Sequence, residues 1–398
     1  MIRVAIISTS FPDPSHNYIW AWLQKMLYEG IEINILTENI NRNTLNNPYF
    51  KDPALWERII SINRVDSLEK LLKSSINLYY LRNVNVLYKL FLVYHTYGYG
   101  LKKKIYRTFE YLPWISKNYD IVHYNYPRIA VRRLEIGKVI GRKTLVSFRG
   151  QDLTFYPGFF NSLFKEIDHI HFISRHLIDE AVKQGYSGGK HSLIPPMVDT
   201  GFYEPPYIEK KHKNKNNEFV ILTCARFYWT KGWEYALKAI QILITKGWKI
   251  RYLIAGDGDL RDAIIYTIHQ LGLQDHVELL GWLDPYMYKD IMQASDLYLL
   301  TSVEEAFNNS VLQAQACGLP IVCTDAGGLP ENVLDGITGK IAERRNAWDI
   351  ADKIEFLLEQ PDLMARMGKN AREHVVEKFN IDKISREFAL LYNQLLYG

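Results

Sequence analysis

Short, largely apolar strand-like stretches recur along the chain, with polar turns and amphipathic stretches between them. In the first half they are Arg3 to Ser8, Ile31 to Leu36, Asp120 to His123, Thr144 to Phe148, Ile167 to Ser174 and Ser192 to Val198. In the second half they are Phe219 to Cys224, Lys249 to Ala255, Val277 to Leu280, Leu297 to Leu300 and Pro320 to Thr324. The strand, helix, strand order of Arg3 to Ser8, Tyr18 to Tyr28 and Ile31 to Leu36 is a βαβ start, which predicts a parallel sheet. Tyr18 to Tyr28, Glu234 to Lys246, Tyr286 to Ala294, Asp349 to Glu359, Pro361 to Phe379 and Asp382 to Leu396 read as helices between or after the runs. Strand and helix alternate, so the fold class expected is α/β. Residues 40–118 are the least regular and hold no catalytic constellation.

A chain of 398 residues exceeds one ordinary core. Its composition shifts at Pro195 to Asn217, where four prolines precede the run Lys210-Lys211-His212-Lys213-Asn214-Lys215. Such a stretch predicts a solvated linker. The domains expected are 1–200 and 201–380, with a last helix, 381–398, crossing back onto the first. Charge divides along the same line. Residues 1–200 hold 26 Lys and Arg against 17 Asp and Glu, a net of +9, which leaves −5 for the rest of a chain of net charge +4. A basic half can face nucleic acid, an anionic membrane or a phosphorylated acceptor. No recognition helix, zinc finger or RNA-binding aromatic motif accompanies it, so no nucleic-acid partner is expected. No window offers the roughly 18 uninterrupted apolar residues of a membrane span. Met1 to Ser8 reads as a first strand and not as a secretory leader. Cys224, Cys317 and Cys323 lie in strand-like or helical segments, which predicts buried thiols in a reducing, cytoplasmic setting.

The second half is organised around Glu305 to Val333. After the run ending at Leu300 come a polar turn, Glu305 to Ser310, and a short helix, Val311 to Cys317, closed by Gly318. The strand Pro320 to Thr324 leads into Asp325-Ala326-Gly327-Gly328, a turn whose backbone can approach a ligand closely. This order sets a helix N-terminus at the carboxyl edge of a parallel sheet, where such sheets bind ligands and phosphate is favoured. Asn309 or Ser310 is the expected N-cap. Glu305 is a poor neighbour for an anion, but an ionised carboxylate accepts from sugar hydroxyls. Arg226 follows the strand ending at Cys224, and Lys231 lies in the next loop, two cations suited to a diphosphate. Gly256-Asp257-Gly258 lacks the third glycine of a dinucleotide fingerprint, since Arg261 stands there, and reads as a tight turn.

The Glu305 stretch resembles the donor-site segment of retaining GT-B glycosyltransferases of the group 1, or family 4, type. The likeness is carried by Glu305, Ala316, Gly318, Pro320, Gly327, Gly328 and Glu331, with Arg226 and Lys231 upstream. It implies two Rossmann-like domains facing each other across a cleft, the first binding an acceptor and the second a nucleotide diphosphate sugar such as a UDP- or GDP-hexose. It implies no other cofactor and no metal. The reaction implied is retaining transfer of a hexose to an acceptor hydroxyl in bacterial surface polysaccharide or glycolipid assembly. The residues implied as catalytic are Arg226, Lys231 and Glu305. Asn308, Asn309, Ser310, Gln313, Gly256, Gly281 and Trp282 are implied around the donor, and Arg149, Asp152, His16 and Asn17 on the acceptor side. The chain departs from the pattern in having Gln313 for a second Glu, Asn308 where Gly is common, and Arg149 for the His of His-Gly-x-Asp. Pro196-Met197 stand for Asn-Gly, and Ser15-His16-Asn17 stand in a loop that often carries glycine. These departures motivate a rival reading, a catalytically silent sugar-nucleotide-binding or scaffold protein of the same fold. An epimerase is a third.

Residues 71–109 hold Lys73, Arg82, Lys89, Lys102, Lys103, Lys104 and Arg107 and no Asp or Glu. Tyr79, Tyr80, Tyr88, Phe91, Tyr94, Tyr97 and Tyr99 are interleaved. Bases and aromatics on helical segments suit an anionic membrane surface. The expectation is peripheral docking on the inner face of the plasma membrane, with a lipid-linked or oligosaccharide acceptor. The plainer alternative packs the aromatics inward and leaves the lysines solvated.

Overall fold

The computed structural model describes the chain except residues 14–16, 63–64, 66, 68, 71–83, 116 and 208–216, and gives the backbone alone for 45, 46, 48 and 84–86. His16, the stretch holding Lys73, Tyr79, Tyr80 and Arg82, and the charge run from Lys210 to Asn216 lie outside the described residues. The chain divides into two units. One is Met1–Ile173, Leu177–Ile194 and Ile384–Gly398; the other is Ser174–His176 with Pro195–Lys383.

The first unit is built on β1 (Arg3–Phe11), β2 (Glu32–Ile40), β3 (Ile59–Ser61), β4 (Tyr119–Tyr124), β5 (Gly141–Phe148), β6 (His169–Phe172) and β7 (His191–Leu193). They pair in the order β3-β2-β1-β4-β5-β6-β7, every pair parallel. Val4, Ala5, Ile6 and Ile7 of β1 are buried on both sides of the sheet, as an unbroken run requires. The irregular stretch contributes β3 and two of the longer helices. The longer helices are α1 (Asn17–Tyr28), α2 (Val84–Thr96), α3 (Leu101–Tyr111), α4 (Pro127–Ile140) and, from Leu177 onward, α5 (Arg175–Lys183).

The second unit carries β8 (Phe219–Cys224), β9 (Ile250–Ala255), β10 (Val277–Gly281), β11 (Leu297–Leu300), β12 (Ile321–Thr324) and β13 (Gly339–Ala342), in the order β10-β9-β8-β11-β12-β13, again all parallel. Its helices are α6 (Trp233–Thr245), α7 (Arg261–Gln270), α8 (Pro285–Ala294), α9 (Asn309–Ala316), α10 (Ala347–Leu358) and α11 (Pro361–Lys378). Trp233, Leu237, Ile240 and Leu243 of α6 and Ile350, Ile354 and Leu357 of α10 share one core with Phe219, Ile221, Tyr252 and Leu299. Burying each such side chain is worth about 1.5–3 kcal/mol.

Pro195 onward is not a free linker. Arg372 of α11 donates to the carbonyl oxygens of Thr200 (2.9 Å), Tyr203 (2.7 Å) and Ala316 (2.9 Å). Asp199 accepts from the N–H groups of Gly201 and Phe202, both at 3.0 Å. One guanidinium thereby satisfies three carbonyls and ties this segment to the second unit. The last helix, α12 (Ile381–Tyr397), belongs to the first unit from Ile384 onward. Its Phe388 ring packs 4.8 Å from Trp22 and 4.9 Å from His171.

Candidate active site

Parallel pairing places every carboxyl end of the second sheet on one edge. Arg226 follows β8, Gly256 follows β9, Gly281 ends β10, Glu305 lies beyond β11 and Gly327 beyond β12. Glu305 is 8% exposed. Its Oε2 accepts from Lys231 Nζ, Ser302 Oγ (3.3 Å) and Asn308 Nδ2 (3.2 Å). Among the described residues, no donor reaches Oε1. Lys231 is held in place by Thr301, whose hydroxyl lies 3.1 Å from the Lys231 carbonyl oxygen and 3.0 Å from that of Gly232. Gly232 sits at φ +63°, and a Cβ there would lie 2.2 Å from the Thr301 carbonyl oxygen, so no side chain fits.

The glycine pair has the same logic. A Cβ on Gly327 would lie 2.0 Å from the carbonyl oxygen of Glu305, and one on Gly328 2.0 Å from that of Ala306. Gly328 N–H donates to Glu305 O at 2.8 Å. The backbone approached so closely is the chain's own, not a ligand's, and the pair fixes where Glu305 stands. Gly256, at φ +143°, would set a Cβ 2.0 Å from the Ala225 carbonyl oxygen. It packs the turn against the residue before Arg226, which is the tight-turn reading of Gly256-Asp257-Gly258.

The N-cap of α9 is Asn308, not Asn309 or Ser310. Its backbone is extended (φ −147°, ψ 114°), and its Oδ1 accepts from Val311 N–H at 3.0 Å. The same side chain donates to Glu305, and its carbonyl accepts from Asn332 Nδ2 at 2.7 Å. Ser310 Oγ lies 2.7 Å from Asn308 Oδ1 and 3.0 Å from the Cys224 carbonyl oxygen, tying α9 to the end of β8. Asn309 follows the cap, half-buried. Gln313 is buried, and its side chain has no hydrogen-bond partner among the described residues. Arg226 and Trp282 are exposed, and Arg226 meets no carboxylate among the described residues. Glu331 accepts from the N–H groups of Arg175 (2.8 Å) and His176 (2.9 Å), which belong to the same unit.

Arg149, Asp152 and Asn17 belong to the first unit. Arg149 follows β5, 9% exposed, with its guanidinium 5.5 Å from the Trp22 ring centre and 5.7 Å from that of Phe388. Asp152 pairs with Arg128 at 3.3 Å, and burial pushes its carboxyl up against the pull of that arginine. Asn17 opens α1. The three cysteines are buried and form no disulfide among the described residues, and burial pushes the Cys224 and Cys323 thiols up.

Residues 206–374 match the family profile described as glycosyl transferases group 1. This chain carries a group 1 glycosyltransferase domain. It is 27% identical over 302 residues to the N-acetyl-alpha-D-glucosaminyl L-malate synthase of Bacillus anthracis, covering 70% of this chain and 76% of that one. It is 30% identical over 190 residues to the capsular polysaccharide biosynthesis glycosyltransferase CapM of Staphylococcus aureus, covering 47% of this chain and 49% of that one. The chain thus spans about half the length of that relative. The solved structure of HepE from Anabaena in complex with UDP-glucose matches at a TM-score of 0.72 and 15% identity, covering 99% of this chain and 100% of that one. The fold of the glycosyltransferase is GT-B.

One polar arrangement of this glycosyltransferase escaped the sequence reading. Tyr392 OH lies 2.8 Å from His123 Nδ1, His123 Nε2 lies 2.6 Å from Ser147 Oγ, and Ser147 Oγ lies 2.7 Å from His171 Nδ1. His171 Nε2 lies 2.7 Å from the Ile194 carbonyl oxygen and donates to it. Burial first, and the Arg149 charge second, hold both imidazoles well below their usual range. The signal is a 24-residue spacing across three adjacent strands, which has meaning only once strand register is known.

Proposed function

We propose that this glycosyltransferase moves a hexose from a nucleotide diphosphate sugar to an acceptor hydroxyl, with retention and without a metal. The observation that carries the reading is the gathering of Lys231, Glu305, Arg226 and the α9 N-terminus at one sheet edge. Arg226, Lys231 and the first N–H groups of α9, at Asn309 and Ser310, would receive the diphosphate and offset the charge that grows as the glycosidic bond breaks. The Lys231 ion pair leaves Glu305 Oε1 without a donor among the described residues, so that it can accept from hydroxyls of the hexose. Gln313 would reach the ribose, with Gly281 and Trp282 beside the base. The bond from C1 to the phosphate oxygen breaks, the electron pair leaving with the nucleoside diphosphate. The acceptor oxygen bonds C1 on the same face, and its proton passes to the departing phosphate. Two fixed cations do the electrostatic work that a divalent ion would otherwise do.

Arg149, Asp152, His16 and Asn17 are proposed for the acceptor side. The UDP-glucose bound by HepE supports a UDP-sugar as donor. The capsular polysaccharide role of the Staphylococcus aureus relative CapM supports work in bacterial surface polysaccharide or glycolipid assembly. The setting proposed is the cytoplasm, with α2 and α3 resting on the anionic inner face of the plasma membrane. The test is turnover of UDP- and GDP-hexoses by the purified chain with mixed hydroxyl acceptors in excess chelator. Release of nucleoside diphosphate with formation of a product of the donor's own anomeric configuration is expected. An inverted product, a requirement for added metal, or no turnover of any donor would overturn the reading.

A further inference from the structure

Arg149 is a buried cation that makes no ion pair among the described residues. Its Nε and Nη2 are sealed from solvent and have no hydrogen-bond partner among the described residues. Two aromatic rings, Trp22 and Phe388, lie against the guanidinium, and His123 and His171 are held in their own hydrogen-bonded chain. The rings attract the cation through their faces, which offsets part of the lost hydration. They do nothing for the unused N–H donors. A guanidinium presents those donors as a planar fork that matches an oxyanion. Arg149 stands at the carboxyl end of β5, the edge where parallel sheets take ligands. Asn125 follows the neighbouring strand β4, and its side-chain oxygen is likewise buried without a partner among the described residues and can accept from a hydroxyl.

We propose that Arg149 binds an anionic group, a carboxylate or a phosphate, carried by the sugar acceptor, and so selects charged acceptors over neutral ones. Calling the ligand an acceptor rests on the transferase reading above; the anion site itself rests on the geometry of the first unit alone. A neutral acceptor would leave the buried donors unpaired, while a charged one would satisfy them, a difference of roughly tenfold to hundredfold in affinity.

The test measures binding and needs no turnover. Glucose, glucuronate and glucose 6-phosphate are titrated against the full-length chain by saturation-transfer NMR, in wild type, Arg149→Gln and Arg149→Lys. Wild type is expected to prefer glucuronate or glucose 6-phosphate to glucose, and the preferred one tells whether the anion is a carboxylate or a phosphate. Arg149→Gln should erase the preference, and Arg149→Lys should keep part of it. Equal binding of all three by wild type would overturn the proposal. So would a preference that survives in Arg149→Gln, which would place the anion on other cations such as Arg226 and Lys231. Failure of the transferase reading shows separately, as absent donor turnover by a wild type that still discriminates charge.

Discussion

Gln313, one helical turn into α9, is a buried residue whose amide makes no hydrogen bond among the described residues. A ribose hydroxyl could pair with this amide, and a leucine there would leave that hydroxyl unpaired at a cost of about 1–3 kcal/mol. Gln313→Leu should therefore weaken nucleotide-sugar binding by about 1–3 kcal/mol, roughly fivefold to 150-fold, while Gln313→Glu keeps activity. Isothermal titration with UDP-glucose decides it. An unchanged dissociation constant in Gln313→Leu would place the ribose elsewhere. At this scale the sequence was partly legible. Glu305, Lys231 and the glycines stood out because their spacing is long and specific. The cap was misplaced because Asn308, Asn309 and Ser310 are all good capping residues, and only the extended backbone of Asn308 selects among them. The reason for Gly327 and Gly328 was also hidden, since it lies in carbonyl oxygens that reach the turn only after folding.

Helices α2 and α3 show what an element can carry that single residues do not. Their aromatics divide. Tyr94 is buried and Tyr97 OH donates to Glu166 at 2.7 Å, as the inward-packing alternative expects. Tyr88, Phe91, Leu92, Leu101 and Ile105 stay exposed, with Lys104 Nζ 4.6 Å from the Phe91 ring centre and Lys103 Nζ 3.5 Å from that of Tyr99. Each lysine near an anionic bilayer is worth about 1 kcal/mol, so replacing Lys102, Lys103 and Lys104 by Glu should lower binding to anionic vesicles at least a hundredfold. Co-sedimentation at low and high salt measures this. Equal binding to neutral and anionic vesicles would leave the helices as a solvated face. Other elements were hard to read for a physical reason. The strand β13 lacks an apolar run, and Gly339 pairs it because a Cβ would lie 2.1 Å from the Ile321 carbonyl oxygen. In α4, Arg133 breaks the apolar stripe but is itself buried, paired with Glu38 and Glu110 at 2.7 Å each.

Across the whole molecule, short apolar stretches alternating with amphipathic ones announced parallel α/β sheets, because a helix between two neighbouring strands carries the chain back to the edge where the first began. The histidine chain of the first unit, invisible without register, links the fold to pH. His123 and His171 stay neutral in the fold, and burial with the nearby His191 pushes His169 down to about 4. The unfolded chain protonates these groups below about 6.5, so their contribution to stability is complete above that pH and is lost as pH falls toward the folded values. The slope approaches about 1.4 kcal/mol per pH unit for each of His123 and His171. The urea midpoint should fall between about pH 7.5 and about pH 5.5, and a flat midpoint would contradict this. The central claim concerns the other unit, where the Lys231–Glu305 pair and the exposed Arg226 lie along one sheet edge. Its most direct test is the rate of hexose transfer from a nucleotide diphosphate sugar in excess chelator, for wild type, Arg226→Ala, Lys231→Ala and Glu305→Gln, each checked for an intact near-ultraviolet dichroism spectrum. Metal-independent transfer by wild type and a fall of about 10²–10³ in each folded variant are predicted; wild-type rates in all three would contradict the account.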